Sequence, residues 1–163
     1  ESLAPMTTFL SDTGHPEEPK APPKSARRRS REFILQGLYQ WRVGGADEAY
    51  APEMEGFAKA DREFFVGTLR GVIGQHEKLT EQISAHIDRP FGELSPVEAC
   101  ILMMGSFEMI NHPETPYRVI INEAIELTKA FGGTDGHKYV NGVLDKVAAV
   151  VRADEVAARK KGK

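Results

Sequence analysis

The sequence lacks the features that mark secreted, membrane-spanning and cysteine-rich metal-binding proteins. Its 163 residues include one cysteine, Cys100, which excludes an internal disulfide and a zinc site built from several cysteines. An uncharged stretch such as residues 99–107 is far shorter than the roughly 20 apolar residues that span a bilayer. No basic segment followed by an apolar core, as in a secretory signal, lies near the N-terminus. We therefore expect a cytoplasmic protein without a membrane anchor.

Residues arranged for catalysis or metal binding are also missing. The five histidines are scattered, and His137 has no second ligand at the spacing of a metal site. The spacing of the other residues reveals no nucleophile–base pair and no carboxylate dyad. No segment combines alternating apolar and polar residues with the turn residues that flank strands. The sequence therefore predicts an all-α protein that is not an enzyme and uses no cofactor and no metal.

Charge is plentiful but unevenly distributed. The net charge of the whole chain is −3, yet residues 24–31 carry five basic side chains and no acidic one. Residues 32–151 have a net charge of −8, and the residues from Arg152 onward have one of +3. The first 23 residues are rich in proline and poor in large apolar residues, which is typical of disorder. We expect a disordered leader (1–23), one folded domain (24–152) and a charged flexible tail (153–163).

Capping residues and prolines predict where the central helices begin. The segment Ser95-Pro96-Val97-Glu98 combines a serine cap, a proline in the first turn and a glutamate three residues after the cap. The helix that follows is apolar almost all round from Ala99 to Ile110, as expected for a buried central helix. Thr115-Pro116 repeats the capping pattern before a helix that runs from Tyr117 to Phe131.

Glycine and aspartate predict the boundaries in the first half of the chain. The first helix begins near Ser25 and ends at Gly44-Gly45. Asp61 is predicted to cap a long amphipathic segment, which bends or breaks near Gly71 and Gly74.

The last long helix is predicted to be capped by Asp135. Gly142 within this helix costs about 1 kcal/mol relative to alanine, and we interpret it as a site of close helix packing. Residues 46–60 are expected to contain a loop and a short helix from Pro52. Together these elements amount to six or seven helices.

The strongest chemical signal is the basic run Lys24-Ser-Ala-Arg-Arg-Arg-Ser-Arg31. Like charges at three- and four-residue spacing on a helix repel one another unless an anion neutralises them. Guanidinium groups also donate several planar hydrogen bonds to phosphate, so the run favours nucleic-acid binding. The alternative interpretations are a solvated basic terminus and a patch that docks on the acidic body of the same chain.

Aromatic residues suited to stacking on unpaired bases are the second signal. Tyr39 and Tyr139 fall off the apolar stripes of their helices, and Phe131 ends its helix. For each of them the alternative is packing at the edge of the core. The segment 132–138 leads into a helix N-terminus that is suited to an anion, and a simple capping role for Asp135 is the competing interpretation.

Three blocks of sequence share their residues and order with one known family. The first contains Ala26-Arg-Arg-Arg-Ser-Arg-Glu32 followed by Leu38-Tyr-Gln-Trp41. The second runs from Pro116 to Phe131, and the third is His137-Lys-Tyr-Val-Asn-Gly-Val-Leu-Asp-Lys146, where the family commonly has phenylalanine at Tyr139. Together these blocks, within residues 25–152, resemble the NusB family of bacterial transcription antitermination factors.

The resemblance implies an all-α fold of two packed helical subdomains and no enzymatic activity. It also implies that the chain pairs with NusE, a small-subunit ribosomal protein, binds the boxA element of nascent ribosomal RNA and joins RNA polymerase in an antitermination complex. The RNA-binding residues carried over from the family motifs are Arg27, Arg28, Arg29, Arg31, Phe131, Asp135, Lys138 and Tyr139. Tyr39 and Glu98 are carried over as contacts to the protein partner, which for Tyr39 competes with base stacking.

Two other functions are weighed against this one. A NusB-like domain also occurs as an accessory RNA-binding module of ribosomal RNA methyltransferases, but the chain has no strand-rich segment or glycine fingerprint of a cofactor-binding domain. A structural homo-oligomer would instead use the exposed aromatic residues as a self-interface. Light scattering with and without the ribosomal partner distinguishes this last function from antitermination.

Overall fold

The computed structural model describes residues 25–45 and 61–162, and the chain divides into two units, Glu1–Ile73 and Gly74–Lys163. In the first unit, α1 (Ala26–Tyr39) continues as a π-helical turn (Gln40–Gly44), and α2 (Arg62–Gly74) runs to the boundary between the units. The elements of the second unit are α3 (His76–Ser84), a 3-10 turn (Phe91–Glu93), α4 (Pro96–Asn111), α5 (Tyr117–Phe131), α6 (Gly136–Val151) and α7 (Ala153–Lys161).

Helices are the regular structure of both units, and no strand occurs within residues 25–45 or 61–162. The predicted all-α class is therefore confirmed, and the two units agree with the expected pair of helical subdomains. The predicted disordered leader (1–23) and the predicted short helix from Pro52 lie outside the described residues.

The first unit is organised around the beginnings of its two long helices. The hydroxyl of Ser25 caps α1 by accepting a hydrogen bond of 3.0 Å from the N–H of Arg28. The hydroxyl of Ser30 donates to the carbonyl of Asp61 (2.9 Å) and accepts from its N–H (2.7 Å), which ties α1 to the start of α2. The carboxylate of Asp61 accepts a bond of 3.0 Å from the N–H of Phe64, as its predicted capping role requires.

Glycines allow the close approaches and turns of this unit. Gly45 ends the π-helical turn with a φ of 69°, in the left-handed region that favours glycine. A Cβ at Gly37 would lie 3.1 Å from Cδ2 of Leu69, so glycine lets α1 pack closely against α2. The predicted break at Gly74 is confirmed, since α2 ends there and α3 begins at His76.

The centre of the second unit is α4, which begins as predicted. The hydroxyl of Ser95 accepts a hydrogen bond of 3.1 Å from the N–H of Glu98, and Pro96 occupies the first turn. Residues 99–109 are buried without interruption beneath α3, α5 and α6. Cys100 is fully buried among them, in agreement with its interpretation as an inert thiol.

The start of α5 differs from the prediction. Pro116, rather than Thr115, occupies the N-cap position, and its side chain makes no capping bond. The N–H of Tyr117 donates instead to the carboxylate of Glu155 on α7, at 2.9 Å. The predicted cap at Thr115 is therefore wrong, because a carboxylate 38 residues away in the sequence supplies the acceptor.

The start and the middle of α6 also differ from the prediction. Asp135 takes the N-cap position, but its side chain makes no capping bond and lies 3.7 Å from Nζ of Lys138. No atom of the described residues lies within 4 Å of a Cβ added at Gly142, so close packing among the described helices does not explain this glycine. The close approach in this unit is at Gly105, where a Cβ would lie 3.0 Å from Cδ1 of Leu144.

Residues 153–161 form α7, where we expected a flexible tail. Asp154 and Glu155 lie in its first turn and three basic residues, 159–161, lie in its last turn. This distribution matches the helix dipole, which favours negative charge at the N-terminus and positive charge at the C-terminus.

Candidate nucleic-acid interface

The four arginines predicted to bind RNA lie in the first two turns of α1, in the first unit. The guanidinium carbons of Arg27 and Arg31 lie 4.3 Å and 5.2 Å from the ring centroid of Phe64 on α2. Arg31 is only 5% exposed, whereas Arg27, Arg28 and Arg29 are half-buried. The ring of Phe64 therefore holds one edge of the cluster against α2, and the other edge is more open to solvent.

The repulsion within the cluster is offset in part by Asp61. Its carboxylate lies 3.5 Å from a guanidinium nitrogen of Arg27, and both side chains are about one-third exposed, at 34% and 36%. An ion pair in such a setting contributes less than about 1 kcal/mol. The alternative that the basic patch docks on an acidic residue of its own chain thus applies to Arg27, but the pair is too weak to occupy the cluster.

The remaining residues predicted to bind RNA lie together where α5 ends and α6 begins, in the second unit. Phe131 is the last residue of α5 and is half-buried. The side chains of Asp135 and Lys138 are 75% and 74% exposed, so the ion pair between them is readily exchanged for other partners.

Tyr139, one turn into α6, lies beneath a cation. The guanidinium carbon of Arg89 is 5.0 Å from the ring centroid, and the hydroxyl oxygen is buried without a hydrogen-bond partner among the described residues. Burial raises the pKa of Tyr139 above 10.0; the charge of Arg89 opposes this rise, and Asp88 and Glu98 add to it. The hydroxyl is therefore protonated at neutral pH and available as a donor.

The two residues predicted to contact the protein partner lie in different units. Tyr39 is half-buried at the end of α1, and Glu98 is half-buried in the first turn of α4. The carboxylate of Glu98 lies against the backbone of Gly136, the first residue of α6, where an added Cβ would overlap with it. Negative charge is favourable at this end of a helix. Glu98 therefore places a negative charge near this N-terminus, and binding of an external anion there stays a prediction.

A groove of about 600 Å³ opens beside Tyr139. One side consists of residues 85–88, which follow α3, and the other consists of α6 from Lys138 to Lys146. The groove is not predicted from the sequence, although a glycine at position 142, in mid-helix, is a signal that this stretch of α6 is unusual.

The same two ranges contain neither a cluster of metal-ligating side chains nor a membrane-spanning helix. Among the described residues, no group of three or more His, Cys, Asp and Glu side chains is placed to hold a metal ion. None of the helices in residues 25–45 and 61–162 is long and apolar enough to cross a membrane.

The model of the NusB family matches residues 28–149, well over half of the sequence. The chain belongs to the NusB family. It is 85% identical to the transcription antitermination protein NusB of Dechloromonas aromatica (strain RCB), over 97% of this chain and 99% of that protein. It is 53% identical to the NusB protein of Ralstonia nicotianae, over 93% of this chain and all of that protein (100%). A solved structure of T. maritima NusB covers 78% of this chain at 26% identity, with a TM-score of 0.69.

Membership of the NusB family confirms three predictions made from the sequence. These are the family itself, its all-α fold, and the absence of enzymatic activity, since the NusB family is one of non-enzymatic transcription antitermination factors. The matched range ends before Arg152 and does not include α7. The roles of the individual site residues stay predictions.

Proposed function

We propose that this chain is a cytoplasmic, RNA-binding antitermination factor that pairs with the ribosomal protein NusE, binds boxA in nascent ribosomal RNA and acts with RNA polymerase. Membership of the NusB family supports the antitermination role. The observation that carries RNA binding is the arginine cluster at the start of α1, which concentrates positive charge in a chain with a net charge of −3.

In the first unit, Arg27, Arg28 and Arg29 contact phosphates. Their half-buried stems are anchored on α1, and their guanidinium groups offer multiple donors to each phosphate. Arg31 was predicted to share this role, but it is 5% exposed beside Phe64. We assign it to holding α1 in place beneath the phosphate-binding residues.

In the second unit, the connection between α5 and α6 supplies further contacts to RNA. Lys138 has the exposure to contact a phosphate, and the exposed carboxylate of Asp135 is an acceptor for the amino group of a base. Phe131 and Tyr139 offer aromatic surface for an unstacked base, the usual target of proteins that read single-stranded RNA.

The protein partner is contacted by Tyr39 in the first unit and by Glu98 in the second. Residues 32–151 carry a net charge of −8, and a basic ribosomal protein complements that charge. The hydroxyl of a half-buried tyrosine and a half-buried carboxylate are both able to bond with a partner across such an interface.

The proposal is tested by a gel shift of a boxA-containing RNA with this chain alone, with the ribosomal protein alone and with both. We expect the complex of both proteins to bind most tightly. Absence of any binding by the mixture would contradict the proposal. A stable homodimer that refuses the ribosomal protein in light scattering would favour a structural homo-oligomer instead.

The arginine cluster is tested by the double variant Arg28→Ala/Arg29→Ala in complex with the ribosomal protein. Removal of two phosphate contacts should weaken RNA binding and lower the slope of log affinity against log salt by about two. The matched control is Arg159→Ala/Lys160→Ala, which removes two exposed positive charges from α7. Equal affinity of the two variants across the salt series would refute the role of the cluster.

A further inference from the structure

The groove beside Tyr139 reaches beyond the residues that the family motifs assign to RNA. Ala85, Ile87 and Val143 give it an apolar part. Lys138 and Lys146 line it from α6, eight residues and therefore about 12 Å apart along the helix axis. An apolar surface between two cations is suited to a flat base with a phosphate on each side.

Gly142 lies midway between the two lysines, on the same face of α6. Its backbone is not in the left-handed region, and nothing lies within 4 Å of an added Cβ. Neither backbone conformation nor packing within the described residues requires glycine there, although glycine inside a helix is destabilising relative to alanine. What glycine provides is a bare stretch of helix in the groove, which a ligand can approach closely.

Two polar atoms next to this stretch are buried without a hydrogen-bond partner among the described residues. They are the hydroxyl oxygen of Tyr139 and the side-chain oxygen of Asn141. Buried polar atoms are nearly always hydrogen-bonded in native proteins. Tyr139 lines the groove, whereas Asn141 does not, so one residue with an unsatisfied polar atom borders the space where an occupant would lie.

The charges around the groove are mainly positive. Lys138 and Lys146 line it, and Arg89 lies over the ring of Tyr139. The acidic residue in the lining is Asp88, whose carboxylate is 3.3 Å from Nε of Arg89. This balance favours an anionic occupant over a basic or apolar one.

We propose that the groove is a nucleotide subsite, which takes one unstacked base of the bound single-stranded RNA against Gly142 and the neighbouring phosphates at Lys138 and Lys146. This inference rests on the proposed function, because it requires that the RNA reaches the connection between α5 and α6. It adds Gly142, Lys146 and His86 to the RNA-binding residues.

The subsite is tested by filling the groove with Gly142→Leu. The open space around position 142 accommodates the side chain, and leucine is a better helix former than glycine, so the variant should fold. The matched control is Gly67→Leu, at an exposed glycine of α2 whose Cβ position is likewise more than 4 Å from every atom of residues 25–45 and 61–162 outside its own helix turn. The probe is a fluorescently labelled boxA RNA, intact or with a single abasic nucleotide at successive positions, titrated with the complex of this chain and the ribosomal protein.

We expect Gly142→Leu to weaken binding of the intact RNA about tenfold, the loss typical of one stacked base, and Gly67→Leu to leave it unchanged. At one position, the abasic RNA should bind the unaltered chain about tenfold more weakly than the intact RNA. The Gly142→Leu variant should bind these two RNAs equally, because its groove holds a base in neither case.

Equal affinities of the unaltered chain and Gly142→Leu for intact RNA would overturn the subsite and leave the proposed function standing. Failure of the unaltered chain to bind the RNA would overturn both. Weaker binding of Gly142→Leu to the ribosomal protein without RNA would assign the groove to that protein and also overturn the subsite.

The phosphate contact at Lys146 is tested by a separate variant, which serves also if Gly142→Leu does not fold. Lys146→Gln, at an exposed position, should weaken RNA binding and lower the salt slope by about one. Lys160→Gln on α7 is its control, and identical salt slopes of the two variants would count against a phosphate contact at Lys146.

Discussion

At the scale of single residues, the side chain of Arg152 forms hydrogen bonds at the ends of several helices. Its Nε donates to the carbonyl of Met109 at 2.7 Å, and one Nη donates to the carbonyls of His112 and Thr115, both at 3.0 Å. Its other Nη pairs with Glu155, whose second carboxylate oxygen accepts from the first N–H of α5. The guanidinium thus satisfies carbonyls at the end of α4 that have no partner within the helix.

Replacement of this arginine should be strongly destabilising. The side chain is 8% exposed, so Arg152→Met leaves three carbonyls and Glu155 without their cationic partner and should lower the free energy of unfolding by about 2–4 kcal/mol. Urea denaturation followed by circular dichroism measures the change. Arg159→Met on α7 is the control, since exposed substitutions usually stay within about 0.5 kcal/mol. Similar unfolding midpoints for the two variants would show that the Arg152 bonds contribute nothing net.

At the scale of helices, two glycines that both lie inside a helix differ in their surroundings. Gly67 in α2 is exposed, and no atom in the described part of the chain lies within 4 Å of its Cβ position. Gly105 in α4 faces Leu144, which is fully buried and close-packed. Helix propensity is the same for both positions, so the difference between them comes from packing alone.

Alanine should therefore stabilise at one of these glycines and destabilise at the other. Gly67→Ala should raise the free energy of unfolding by about 1 kcal/mol through helix propensity. Gly105→Ala should lower it by about 1–3 kcal/mol, because its Cβ would lie 3.0 Å from Cδ1 of Leu144, a leucine that is fully buried. Thermal or urea unfolding gives both values, and a stabilised Gly105→Ala variant would show that Leu144 adjusts freely.

The beginnings of α4 and α6 are coupled through Glu98. Its N–H is bonded to Ser95, and its carboxylate lies against Gly136 at the start of α6. A residue in this position affects the α5–α6 connection as well as any partner that contacts it.

Glu98→Gln separates the two roles because it keeps the size of the side chain and removes its charge. If Glu98 contacts the ribosomal protein, the variant should bind that protein about tenfold more weakly while its circular dichroism is unchanged, and Glu98→Lys should bind more weakly still. Glu126→Gln, at an exposed position of α5, is the control. Full affinity together with a lower unfolding midpoint would limit Glu98 to a structural role at the N-terminus of α6.

At the scale of the whole molecule, charge is segregated along the chain. Residues 24–31 carry a net charge of +5, and residues 32–151 carry −8. A body of one sign attracts a partner of the other sign before contact, and this attraction is screened by salt.

This segregation predicts how pairing with a basic ribosomal protein depends on salt. The association rate constant should fall about tenfold between roughly 0.05 M and 0.5 M salt, and the dissociation rate constant should change much less. Stopped-flow or surface-based kinetics at several salt concentrations measure both. An association rate that does not depend on salt would exclude electrostatic steering by the acidic body.

The helix ends were predicted correctly where both partners of the deciding interaction are close together in the sequence. Ser95 bonds to an N–H three residues away, Asp61 does the same, and Gly45 adopts its left-handed conformation without help from distant residues. The chemistry of a cap or a turn is complete within one helical turn. The all-α class and the positions of these helix ends could therefore be read from the sequence.

The tertiary structure decided the features that depend on residues far apart in the chain. The cap of α5 comes from Glu155, the burial of Arg31 is accompanied by its contact with Phe64, and the groove forms where residues 85–88 pass Gly142. In each case the partner lies more than 30 positions away in the sequence, so no local sequence pattern predicts the contact. The sequence by itself determined which segments are helical and where positive charge concentrates. The packing of those helices decided which side chains are buried and which face the groove, because burial depends on neighbours in space.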